Sequence, residues 1–94
     1  MNTVHDPDLG MAVYTFLDSR ASELRSRGVD ELSVKAGDVQ GTIGAHGRIL
    51  EVCALLADDE LASKAGLELK LRSDPRDAFA TTFRYKVHGV TRGM

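Results

Sequence analysis

Three histidines, one cysteine and a run of three acids are the residues of this 94-residue chain best suited to chemistry. A zinc site needs Cys, His or carboxylate ligands at short, regular spacings. His5, His46 and His88 are scattered, and none has such a neighbour, so no metal is expected. Cys53 stands between Val52 and Ala54 in an apolar run, where a thiol is an inert core group rather than a nucleophile. Asp58, Asp59 and Glu60 could form an acid–base pair, but acids at a helix start are explained by the positive end of its dipole. The segment from Gly41 to Gly47 is rich in glycine, yet it lacks the Lys-Ser/Thr of a phosphate loop and a preceding strand of sufficient length. The sequence therefore predicts neither a catalytic residue nor a cofactor, and no enzyme.

The cations are distributed more suggestively. Residues 1–63 carry 5 Lys/Arg and 11 Asp/Glu, whereas residues 64–94 carry 7 and 3, although the whole chain has a net charge of only −2. Such a separation is expected if one face meets a polyanion, and equally if strand surfaces simply carry Lys and Arg. A 43% hydrophobic and 28% charged composition is that of one folded domain, here 1–94 with order expected over about 6–89. Met1 to Pro7 shows no basic cluster followed by an apolar run, and Ile49 to Ala57 is too short to span a bilayer. A lone cysteine excludes an internal disulfide framework. These features predict a cytoplasmic protein with no membrane partner and no evident small-molecule ligand.

The elements that must position these residues follow from the hydrophobic period. Asp6 is a helix cap and Pro7 suits the first helical position. Leu9, Val13, Phe16, Leu17, Ala21 and Leu24 then form one apolar stripe, and Gly28 ends the helix with Val29 folding back. Leu32-Ser33-Val34 predicts a small strand, and Ala36 to Ile43 a short helix weakened by Gly37 and Gly41. Arg48 to Ala57 predicts another helix, and Asp58-Asp59-Glu60 a further turn or two that stops at Gly66. Leu67 to Arg72 and Phe79 to His88 alternate as strands around the turn residues Ser73 to Asp77. Pairing Leu69 with Phe83 would set Glu68 opposite Arg84 and Lys70 opposite Thr82, with every apolar residue facing one way.

Val39 to Cys53 resembles a helix-turn-helix. Gly44 serves the turn, and Val39, Ile43, Ala45, Leu50 and Cys53 stand at its apolar positions, although Gln40 occupies a place where a small residue is usual. Taken with its surroundings, the chain is similar to the α+β winged helix-turn-helix, in the order helix-strand-helix-helix-strand-strand. That resemblance implies a three-helix core with a C-terminal β-hairpin wing over 67–88 and a helix-turn-helix over about 36–57. It also implies a small DNA-binding transcriptional regulator. His46, the Gly47 backbone and Arg48 would reach the major groove of double-stranded DNA, and Lys70, Arg72, Arg76, Arg84 and Lys86 on the wing would neutralise phosphates.

One feature opposes base reading: the helix Ile49 to Ala57 has little polar surface beyond Glu51, which would repel phosphates. The second reading is accordingly a winged-helix protein-interaction module that binds no DNA. The apolar surface of Leu9 to Leu24 together with Ile49 to Leu56 further predicts a homodimer built on the first helix.

Overall fold

Twenty residues from Pro7 to Ser26 form the longest element, α1, in a computed structural model that describes residues 7–73 and 76–90. Leu9, Val13, Leu17 and Ala21 fall at four-residue intervals, so they share one face, and that face is buried. Phe16 lies beside the stripe and is only half-buried, with the Arg20 guanidinium 5.1 Å from its ring centre. The helix ends as expected: the Gly28 and Val29 amides donate to the Arg25 and Leu24 carbonyls in the paired pattern that closes a last turn. The expected cap at Asp6 and the turn residues Asp74 and Pro75 lie outside the described residues, as do Thr91 to Met94.

The chain continues through β1 (Glu31–Lys35), α2 (Ala36–Ile43), α3 (Ile49–Leu56) and α4 (Asp59–Lys64) into β2 (Leu67–Arg72). A 3₁₀ turn (Ala78–Ala80) then precedes β3 (Thr82–Val87). The four helices cover one face of a three-stranded antiparallel sheet of order β1-β3-β2, and the other face is open to solvent. Phe83, Tyr85 and Val87 of the central strand are fully buried against Leu32 and Val34 of β1, Leu67 of β2 and the α1 stripe.

This architecture corrects the winged-helix expectation. Among the described residues there are four helices rather than three: α4 stands between α3 and β2, so the order is helix-strand-helix-helix-helix-strand-strand and not the one a winged helix-turn-helix implies, although β1 lies between α1 and α2 as expected. The extra helix exists because the Asp58 side chain accepts from the Glu60 and Leu61 amides, capping α4 while Ala62 and Ala65 anchor it in the core. Nor is the C-terminal hairpin a free wing. β3 is clamped on both sides, its Phe83 and Tyr85 facing Val34 and Leu32 of β1.

The strand register also differs from the one expected. Leu69 pairs with Tyr85 and Glu68 with Lys86, two residues from the expected register, and a bulge between Leu69 and Leu71 then shifts the pairing by one more, so that Leu71 meets Arg84 and Arg72 meets Phe83. Beyond it Leu71 faces solvent. Phe79 does not join β3, since the Asp77 carboxylate accepts from the Phe79 amide at 3.0 Å and holds the segment as a turn. The dimer expected on the first helix loses its basis as well, because the apolar stripe of α1 is consumed by the monomer's own core.

Two polar contacts fasten the helical layer to the sheet. The Tyr85 hydroxyl donates to the Leu56 carbonyl at 2.7 Å in the interior, satisfying the last turn of α3, and burial pushes the phenol's pKa well above its ordinary value. Arg25, from the end of α1, donates through Nε to the His88 carbonyl at 2.7 Å and through Nη2 to the Ala65 carbonyl at 2.8 Å. It thereby closes the C-terminus of α4 with a positive charge and ties it to the end of β3. Gly66 lies beneath it at φ 75°, a conformation that favours glycine, and a Cβ there would displace the Arg25 guanidinium.

Tyr85→Phe should preserve packing but leave the Leu56 carbonyl without its donor, lowering stability by about 1–3 kcal/mol in urea denaturation. An unchanged midpoint would mean that the bond contributes nothing. Gly66→Ala should cost more in the wild type than in an Arg25→Met background, where only the strain of about 1–2 kcal/mol from its positive φ remains. Strictly additive losses in that cycle would show that the guanidinium does not occupy the space above Gly66.

Candidate functional site

The residues singled out for DNA contact are placed on separate parts of the molecule. His46 and Gly47 lie exposed in the turn between α2 and α3. Arg48 directly precedes α3, and its guanidinium meets both oxygens of Glu51 at 2.8 Å. That contact holds the Glu51 carboxyl below the usual carboxylate range. Gln40, which departed from the motif, is buried and donates through Nε2 to the Ala45 carbonyl at 3.2 Å. The Ala45 amide in turn donates to the Gln40 carbonyl, so this side chain and Gly44 (φ 73°) build the turn together.

The strand cations lie mostly among carboxylates on the open face of the sheet. Lys70 contacts Glu68 at 3.4 Å, and Arg84 contacts Glu31 at 3.0 Å. Lys86 is in register with Glu31 on one side and Glu68 on the other. His88 lies 3.4 Å from Glu68. Arg72 stacks 5.6 Å from the centre of the Phe83 ring, and Arg76 is exposed ahead of the 3₁₀ turn. The face is thus a mosaic of alternating charge rather than a continuous basic surface.

Chemistry of other kinds finds little support in the geometry. Among the described residues no three His, Cys, Asp or Glu are grouped to hold a metal ion. Cys53 is buried, its thiol directed at the Ala78 carbonyl 3.7 Å away. No helix of the described residues is long and apolar enough to cross a membrane.

A concavity of about 630 Å³ lies between α1 and α4. Gly10, Met11 and Tyr14 line it from α1, and Asp58, Glu60, Leu61 and Lys64 from the α4 side. Gly10 and Tyr14 are one turn apart, so the absent side chain of the first leaves a hollow beside the ring of the second. Met11 is 64% exposed at its edge. The opposite wall begins with two carboxylates. Asp58 caps α4 through one oxygen, and Glu60 stands exposed two residues on.

Sequence reasoning did not single out this groove. Met11 and Tyr14 lie off the buried stripe and form no period of their own, and nothing local says that α4 will lie alongside them. The available signal was Met11 itself, an apolar residue two places from Leu9 and Val13 and so on a different face of the same helix.

A second exposed apolar region flanks α3. Leu50 is 74% exposed and precedes by one turn the Cys53 thiol that touches the 3₁₀ turn, while Phe79 in that turn is 48% exposed. These residues edge a convex surface rather than line a hollow.

The DNA-binding regulator expected above rested on a winged-helix order that the fold does not have, and nothing else supplies double-stranded DNA as a partner. No protein-family model, curated protein or solved structure matches the chain.

Proposed function

We infer that the chain is a binding domain that takes an amphipathic, basic segment of a partner protein into the groove between α1 and α4. The observation that carries this reading is the combination, in one hollow, of an apolar floor with an acidic entrance. Tyr14 and Leu61 supply the floor with Met11 at its edge, and Asp58 and Glu60 supply the entrance. A helix presenting apolar residues on one side and Lys or Arg beside them matches both features. The apolar contacts would provide most of the affinity, and the charges would set orientation and association rate. Binding rather than catalysis suits a site that has one cation and two carboxylates but no nucleophile. A reducing cytoplasm, where Cys53 stays a thiol, is the compartment that fits the chain.

The test is a titration of fluorescently labelled amphipathic helical peptides, one of Leu and Lys and one of Leu and Glu in the same pattern. The Lys peptide should bind, more weakly as salt rises, and the Glu peptide should bind at least about tenfold less tightly. Met11→Asp, at an exposed position that leaves the core intact, should weaken the Lys peptide by a similar factor, and Glu60→Lys should do the same. Equal affinity for the two peptides, or indifference to Met11→Asp, would refute this assignment of the groove.

A further inference from the structure

The two edges of the sheet are built differently. β2 is interrupted by its bulge and presents Lys70 there, which is how edge strands are kept from pairing with other chains. β1 has no such interruption, and all five of its residues are in unbroken register with β3. The Val87 amide donates to the Asp30 carbonyl at 2.8 Å and the Ala36 amide to the Thr81 carbonyl at 2.9 Å, which fixes the parity of the ladder. Backbone groups of Leu32 and Val34 therefore turn toward β3, and those of Glu31, Ser33 and Lys35 turn toward the free edge.

We propose that β1 pairs antiparallel with β1 of a second copy of this chain, joining two three-stranded sheets into one of six strands. The occupant is identified by charge and symmetry. With Ser33 opposite Ser33 on a two-fold axis, Glu31 of each copy faces Lys35 of the other, and Leu32 faces Val34. In that register the three outward-facing residues of one strand meet the three of the other, so every free backbone group of β1 is satisfied. Sliding the strands by two residues loses both charge pairs, and a parallel arrangement sets Glu31 beside Glu31. Lys35 makes no ion pair with any described residue, and Glu31 engages Arg84 while remaining exposed, so both side chains are available on the open face. The proposal is independent of the α1–α4 groove.

The experiment is sedimentation equilibrium across the micromolar range, with folding of each variant checked by circular dichroism. The wild type should form a dimer. Ser33→Pro removes an outward-facing amide that β3 does not use, so the fold should persist while the dimer dissociates. Lys35→Glu sets like charges opposite each other twice per dimer and should weaken association by at least about tenfold, as should Glu31→Lys. Mixing those two single variants should restore a one-to-one heterodimer, which loss of folding could not do. A wild type that remains monomeric throughout, or a dimer that tolerates Ser33→Pro and is unchanged by Lys35→Glu, would overturn the proposal.

Discussion

The fold converges on Tyr85. Its ring is fully buried at the middle of the central strand, paired across with Leu32 of β1 on one side and Leu69 of β2 on the other. Its hydroxyl reaches the last turn of α3. One residue near the end of the chain is therefore in contact with both edge strands and with the helical layer. A buried phenol in this position must find an acceptor, because an unpaired hydroxyl in the interior costs on the order of 1–3 kcal/mol. The Leu56 carbonyl is such an acceptor, since it lies in a last helical turn where carbonyls lack intrahelical donors.

Arg25 closes the other end of the molecule by comparable logic. A guanidinium has five donors in a planar fork and can serve carbonyls from several elements at once, which a lysine ammonium does with less directional control. Here it joins α1, the end of α4 and the end of β3. With Tyr85 holding α3 and Arg25 holding α4, each of the last two helices is tied to the sheet by a named hydrogen bond. That fixes α4 alongside α1, and the groove between them follows from this placement. The acids that rim it serve two roles, since Asp58 must be present to start a helix of only six residues.

Electrostatics on the sheet follows from the order of strands. Because β3 is central, its Lys86 stands in register with Glu31 on one edge and Glu68 on the other, and its Arg84 reaches Glu31. The basic character of the C-terminal third is thereby offset on this face by acids, one of which comes from the acidic N-terminal part. Charge separated along a chain does not imply charge separated in space when the last strand lies between earlier ones.

Features that depend on neighbours in sequence were legible in the sequence alone. The α1 stripe and its closure at Gly28, the strand at Leu67 to Arg72, the burial of Cys53 and the helical turn begun by Asp58 all follow from local period and capping chemistry. Features that depend on contacts between distant segments were not. The pairing of β1 with β3 decides that the hairpin is no wing, and it joins residues about fifty positions apart, whose alternation shows a buried face but names no partner. The bulge that sets Leu71 opposite Arg84 leaves no mark on the alternating Leu67 to Arg72, because a bulge is a choice between two strands. Arg25 carries no local signal of its role and Gln40 reads as a misfit, since a polar side chain declares a linking role only when the carbonyls it serves are in place. The groove of Met11, Tyr14 and Leu61 is of the same kind. Its residues belong to no single periodic face, and only the packing of α4 against α1 brings them together.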